Sequence, residues 1–142
     1  HAARLLIEKR LDWSSVDERI RGRVKAVAKF LADFNITANF VETAVASERY
    51  RFAGTADVIA EDCIVDWKGS IDPRVQAQIG GYAIASEETL ALKIKRGIVV
   101  ELKDDGTYAT ETYNDLRTGR NIFLAALTIH GFIRKHHLNG VT

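Results

Sequence analysis

The chain of 142 residues is long enough for one domain with its own hydrophobic core, and its charges nearly cancel to a net charge of +1. The single cysteine, Cys63, excludes an internal disulfide and a four-cysteine iron–sulfur cluster. The sequence has neither a signal-peptide pattern nor an apolar run long enough to span a bilayer, so we expect a cytoplasmic protein with no membrane partner.

The N-terminal part of the chain predicts two helices. Residues 1–11 indicate a short helix, and residues 12–15 a break that contains helix-capping side chains. Residues 16–34 indicate a longer helix that packs on a sheet, because apolar residues recur at helical spacing: Ile20, Val24, Val27, Leu31 and Phe34. The chain begins at His1 and contains no methionine, so we interpret it as a fragment or processed chain that lacks its native N-terminus.

Three predicted strands follow, at residues 36–47, 48–60 and 63–68. The polar pair Glu61-Asp62 between the last two favours a tight hairpin and therefore antiparallel pairing. Asp57 interrupts the apolar residues of the second of these strands. Asp66 and Lys68 lie at positions i and i+2 of the third, so both side chains point to one face. Two carboxylates and an ammonium group should therefore converge near one end of the sheet.

This cluster has two interpretations. A structural ion pair would let Lys68 neutralise Asp66 or Asp57, since a buried carboxylate without a partner costs several kcal/mol. Alternatively, the carboxylates would hold a hard divalent cation, Mg²⁺ or Mn²⁺, with the lysine beside it. The spacing of the residues does not decide between them.

The second half of the chain predicts a helix, a strand hairpin and a final helix. The helix opens at Asp72-Pro73 and runs to residue 88, with Gln78 and Tyr82 on one face. Residues 90–103 and 107–114 indicate strands joined by a turn at residues 104–106. Glu101 and Lys103 imitate the earlier acid–lysine spacing, but we interpret them as exposed charges at a strand end.

Residues 114–137 predict the last helix, with an inward face of Ile122, Ala126, Ile129 and Ile133 and with His130 as a packing residue beside it. The predicted fold is a single α/β domain, residues 1–142, with a central mixed sheet of about five strands flanked by helices.

Four blocks of residues occur in a suggestive order: Glu42, then Gly54-Thr55-Ala56-Asp57, then Asp66-Trp67-Lys68, then Gln78 and Tyr82 as a QxxxY motif. This order resembles the PD-(D/E)XK nuclease superfamily, in particular its RecB-like and phage-exonuclease-like branch, over roughly residues 40–85. The resemblance implies a restriction-endonuclease-like core in which Mg²⁺ or Mn²⁺ is the cofactor.

The resemblance also implies a role for each matching residue. Asp57 and Asp66 would bind the metal, with the backbone carbonyl of Trp67 as a further ligand, and Lys68 would be the catalytic lysine. Glu42 matches an upstream acidic position of the site, and His1 a histidine ligand found on a preceding helix. Residues expected to contact the substrate are Ser70, Gln78 and Tyr82.

The expected function is therefore a metal-dependent deoxyribonuclease, an exonuclease of phage or recombination and repair type, in a bacterial or phage-infected cell. DNA is the expected partner, with a homo-oligomer or a larger complex as a further possibility. Alternatives are a catalytically silent nucleic-acid-binding module of the same fold, a restriction or repair endonuclease, and a non-nuclease domain with a structural ion pair. Three basic clusters would serve as phosphate tracks or as ordinary solvated surface: Arg21 to Lys25, Lys93 to Arg96, and Arg134 to His137.

Overall fold

The computed structural model describes residues 1–138, which form four α-helices, one 3-10 turn at Trp13–Ser15 and five strands. In chain order the elements are α1 (Ala2–Ile7), α2 (Glu18–Asp33), β1 (Phe40–Ser47), β2 (Phe52–Ala60), β3 (Cys63–Lys68), α3 (Val75–Leu90), β4 (Arg96–Leu102), β5 (Tyr108–Tyr113) and α4 (Arg117–Lys135).

The five strands form one mixed sheet in the order β1-β2-β3-β4-β5. Neighbouring strands are antiparallel except for β3 and β4, which are parallel and are connected by α3. A parallel pair needs such a crossover, whereas the antiparallel pairs are joined by short turns. The α/β class, the five strands and the order of the elements are as the sequence predicted.

Each face of the sheet is covered by a helix. Beneath α3, a cluster that includes Ile59, Ile64 and Ile79 forms one core layer. On the other face, Phe30 of α2 packs with a cluster that includes Val65. The α4 helix packs mainly against α3, and its Phe123 ring also contacts Phe52 at the start of β2. On that face of the sheet, α3 and α4 therefore form a pair of packed helices.

Some strands and helices begin at other residues than the sequence predicted, because the turns before them are longer. The β1–β2 connection extends from Glu48 to Arg51, which has a positive φ of 58°, so β2 begins at Phe52 and not at residue 48. The α3 helix continues to Leu90, which shortens the following strand at its start. Pro73 lies in a turn before α3 and is not its first residue, because the Asp72 carboxylate accepts the Arg74 N–H and closes a turn there.

The helix faces were predicted only in part. Val24 and Val27 of α2 are buried as expected, but Ile20 and Phe34 at the margins of that face are 43% and 41% exposed. The predicted inward face of α4 is wrong, since Ile122 and Ile129 are about half exposed and Ala126 is exposed. The part-buried apolar residues of the helix are Phe123, Leu124, Leu127 and Ile133.

The reason for the error at α4 is that this helix has apolar residues on two sides, and periodicity does not say which side meets α3. Gly119 sets the side, because its backbone lies directly against Gly80 of α3. His130 is exposed and is not a packing residue. No helix within residues 1–138 is long and apolar enough to cross a membrane.

Candidate active site

Asp66 and Lys68 lie at the C-terminal end of β3, on the same face, as their i, i+2 spacing predicts. Lys68 Nζ lies 3.1 Å from Asp66 Oδ2. Asp66 is 2% exposed, whereas the side chain of Lys68 is 30% exposed. The carboxylate is thus buried, and the ammonium group beside it is partly exposed to solvent.

Asp57 reaches this carboxylate from the neighbouring strand. Its Oδ2 accepts a hydrogen bond of 2.9 Å from the backbone N–H of Trp67, the residue between Asp66 and Lys68. Burial, and after it the adjacent Asp57 carboxylate, raise the pKa of Asp66 to about 7 against the opposing effect of Lys68. Two carboxylates and one ammonium group therefore meet where burial disfavours the negative charge of Asp66.

Asp66 Oδ2 lies 3.1 Å from Lys68 Nζ, but it accepts no hydrogen bond of normal geometry from the described residues. A buried carboxylate oxygen normally has such a donor, and its absence is costly. The donor chemistry fits a divalent cation, because Mg²⁺ binds through one or two carboxylates and keeps several waters. Within residues 1–138, however, no three His, Cys, Asp or Glu side chains form a metal-holding group. The ion would depend on the aspartate pair.

Glu42 lies opposite Asp57 in the β1–β2 register. The strands pair on both sides of this position, at Val41–Val58 and Thr43–Ala56, but Glu42 and Asp57 themselves are not paired. The backbone of Glu42 is left-handed, with φ of 45°. A non-glycine residue in this conformation within a strand is strained.

The side-chain alternation of both strands reverses at this point. Phe40 and Val45 belong to the same core cluster although they are five residues apart, and so do Ala56 and Ile59, which are three apart. Residues separated by an odd number lie on opposite faces of a regular strand. The irregularity therefore sits beside Asp57, the carboxylate that the motif singles out.

His1 lies near Glu42, because its amino nitrogen is 3.0 Å from Glu42 Oε1. Its side chain is 85% exposed. The structure thus brings Asp57, Asp66 and Lys68 together, and places Glu42 and His1 as neighbours of each other without joining them to the aspartates in one metal-holding group.

Gln78 and Tyr82 share one face of α3, and Gln78 Nε2 donates a hydrogen bond of 3.0 Å to Tyr82 Oη. Burial raises the pKa of Tyr82, and the negative charges of Asp66 and Asp57 add to this effect. The Tyr82 ring lies over Gly54, where a Cβ would come within 3.1 Å of it. The glycine of the GxxD block therefore makes room for the tyrosine of the QxxxY block.

Two further predicted residues have different surroundings. Ser70 is exposed in the loop after β3. The Trp67 ring packs edge-on against Phe30, at 5.7 Å between centroids, on the α2 side of the sheet. The tryptophan side chain thus anchors β3, while its backbone N–H orients Asp57.

Two more residues contribute to this region: Arg23, which the sequence indicated only as part of a basic cluster, and Phe123, which sequence reasoning missed. An Arg23 nitrogen lies 3.7 Å from the position that a Cβ on Gly69 would occupy, so α2 brings a cation next to the residue after Lys68. Phe123 of α4 lies against Gly81 and lines a pocket together with Tyr82. The Arg23 contact spans 46 positions, and the Phe123 contact depends on the face of α4, so no local pattern reveals either.

The other basic residues lie elsewhere. Arg96 pairs with Cys63 at the start of β3, whereas Lys68 at its end pairs with Glu101, so the cluster from Lys93 to Arg96 is at the opposite end of the sheet from the site. Lys103 is exposed just beyond the end of β4. Residues 134–137 are exposed at the end of α4.

Neither a protein-family model nor a curated protein sequence matches this chain. A functional assignment therefore depends on the motif residues and on the geometry that surrounds them.

Proposed function

We propose that this chain is a metal-dependent deoxyribonuclease of the PD-(D/E)XK type, with a restriction-endonuclease-like core. The observation that supports the proposal most is the buried Asp66 Oδ2, which accepts no hydrogen bond and faces Lys68 at 3.1 Å. A carboxylate in this environment would be able to bind a metal ion. The four motif blocks, each on its expected strand or helix, give the site its proposed chemistry.

In this proposal, a bound Mg²⁺ or Mn²⁺ would supply Lewis-acid activation of the scissile phosphate and its water nucleophile. Asp57 and Asp66 would hold the ion, with the Trp67 carbonyl as a further donor. Lys68, whose side chain is partly exposed, would donate hydrogen bonds to the attacking water or to a phosphate oxygen that gains negative charge. Glu42 would orient the same water from β1.

Gln78 and Tyr82 would hold the DNA strand beside this centre. Arg23, whose Nε donates a hydrogen bond of 2.8 Å to Asp104 and which lies beside Gly69, would contact a phosphate there. An exonuclease is preferred over an endonuclease because the QxxxY helix resembles the RecB-like branch. Hydrolysis in either case breaks one P–O bond of the backbone and adds water across it.

A structural ion pair is the second candidate, and the 3.1 Å contact between Lys68 and Asp66 favours it. Against it stands the second carboxylate, because burial and Asp57 raise the pKa of Asp66 more than Lys68 lowers it, so one lysine does not balance the aspartate pair. The half-exposed lysine also compensates the aspartate only in part.

The test is cleavage of end-labelled linear DNA and covalently closed circular DNA, each single- and double-stranded, with Mg²⁺, Mn²⁺ or EDTA. Metal-dependent loss of linear DNA alone, abolished in a folded Lys68→Ala variant, is expected of an exonuclease. Cutting of circles would move the assignment to an endonuclease. No cleavage by folded protein that binds the ion would favour a silent binding module. No cleavage without ion binding would favour the structural ion pair.

A further inference from the structure

A small pocket adjoins the candidate active site. Its volume is about 200 Å³, and its walls include Phe52, Gly54, Gln78, Gly81, Tyr82 and Phe123. It shares Gln78 and Tyr82 with the site, and Tyr82 is close enough to Asp57 and Asp66 for their charges to affect its pKa. The pocket therefore adjoins the candidate site through Gln78 and Tyr82.

Two glycines give the pocket its aromatic walls. A Cβ on Gly81 would lie 2.6 Å from the Phe123 ring, and a Cβ on Gly54 would lie 3.1 Å from the Tyr82 ring. Any side chain at these positions would displace a ring. The Phe52 and Phe123 rings contact each other, with 4.6 Å between centroids. Three aromatic rings from β2, α3 and α4 thus surround one opening.

The chemistry of the walls selects a flat, neutral ligand with a polar edge. None of the residues that line the pocket carries a charge, so it is unsuited to a phosphate. Gln78 donates to Tyr82 Oη, which leaves the amide oxygen of Gln78 and the hydroxyl hydrogen of Tyr82 for a ligand. The volume is below the roughly 300–1,000 Å³ of pockets for whole small molecules.

We infer that this pocket binds one unpaired nucleobase of the substrate strand, next to the scissile phosphate. The inference rests on the proposed nuclease function and specifies its substrate. A base can enter only when it is unstacked and unpaired, so the preferred substrate is a single strand or a frayed DNA end. Stacking on aromatic side chains with sparse polar contacts is sequence-tolerant, as an exonuclease requires.

The test measures binding of single-stranded oligonucleotides in which one abasic site is moved stepwise along the strand. Lys68→Ala protein with Mg²⁺ is used throughout, so that the DNA stays intact, and fluorescence anisotropy gives Kd. At one position near the bound end, loss of the base is expected to weaken binding about tenfold, within the range for one stacked base. Adding Phe123→Leu should weaken binding of the intact strand and abolish that position dependence.

Phe132→Leu is the matched control, because it makes the same change on the same helix at an exposed residue outside the pocket. It should retain the full abasic penalty. Binding that is indifferent to the abasic position in the parent protein would overturn the nucleobase pocket and leave the nuclease proposal standing. A penalty that persists in Phe123→Leu would also overturn it. If the Lys68→Ala protein binds no DNA, or if protein with the native Lys68 cleaves none, the proposed function itself fails.

Discussion

At the scale of single residues, Asp66 combines near-complete burial with an oxygen that accepts no hydrogen bond. Lys68 lies near that oxygen, yet burial and the Asp57 carboxylate dominate and raise the pKa of Asp66 to about 7. This charge balance is the feature on which the proposed divalent cation depends.

The raised pKa makes the stability of the metal-free protein depend on pH. The folded protein retains a proton on Asp66 that the unfolded chain loses above its ordinary value of 3.8. The free energy of unfolding should therefore fall as pH rises from about 4 to about 7, by on the order of 4 kcal/mol, and this component is flat above that range. Asp66→Asn removes the component and should be more stable than wild type at pH 8.

Urea unfolding in EDTA at several pH values gives this comparison. The charged and titratable groups near Asp66 are the same in both proteins, namely Asp57, Lys68 and Tyr82. A difference between the two pH profiles therefore reports on Asp66 itself. Parallel pH profiles for wild type and Asp66→Asn would contradict the account.

Lys68→Ala should lower the rate of DNA cleavage by at least about 100-fold, because it removes a donor to developing charge. Its effect on the free energy of unfolding at pH 6 should be under about 1 kcal/mol, since Asp66 is mostly protonated at that pH and leaves little unpaired negative charge when the lysine is removed. Lys103→Ala, the exposed lysine after the neighbouring strand, should change neither quantity. A loss of several kcal/mol in Lys68→Ala with cleavage retained would favour the structural ion pair.

Glu42 should show a conflict between stability and activity. Glu42→Gly relieves the left-handed backbone at φ of 45° and is expected to stabilise the fold by about 1 kcal/mol. The same variant loses the carboxylate opposite Asp57, so cleavage should decrease.

Glu61→Gly is a matched control for this variant, because Glu61 has a similar φ of 53° in the β2–β3 turn. It should gain stability without losing activity. Destabilised Glu42→Gly protein, or unchanged cleavage, would show that the backbone conformation of Glu42 is unrelated to the site.

Among the helices and strands, the sequence predicted the features that depend on short-range patterns of residues. The apolar run of β3, its acid–lysine spacing and the shared face of Gln78 and Tyr82 on α3 all follow from periodicity, and the structure has them. The left-handed Glu42 could not be predicted, because it reflects how two strands reverse their side-chain alternation together. The inward face of α4 was wrong because apolar residues lie on two sides of that helix.

The contact between α3 and α4 gives a prediction of its own. A Cβ on Gly80 would collide with backbone atoms of Gly119 and Arg120, which have no side-chain freedom to move away. Gly80→Ala should therefore destabilise the protein by about 1–3 kcal/mol. Gly131→Ala, in the same helix pair but with nothing within 4 Å of the new methyl group, should stabilise it by up to about 1 kcal/mol. Equal effects of the two substitutions on urea unfolding would contradict the packing described.

At the scale of the whole molecule, the site lies where β2 and β3 meet α3, and both helical layers contribute to it. From the α2 side Arg23 reaches Gly69, and from the α4 side Phe123 closes the pocket beside Tyr82. Because the net charge is only +1, the proposed function requires that such local groups and the proposed cation, and not the overall charge, attract DNA.

The central claim is that the Asp57–Asp66 pair is a divalent-metal centre. Calorimetric titration of Mn²⁺ and Mg²⁺ into wild type, Asp66→Asn and Asp62→Asn tests it most directly, since Asp62 is a part-exposed aspartate at the other end of β3. The account predicts saturable binding to wild type and Asp62→Asn, and its loss in folded Asp66→Asn. Binding that survives in Asp66→Asn, or no binding to wild type, would contradict the claim.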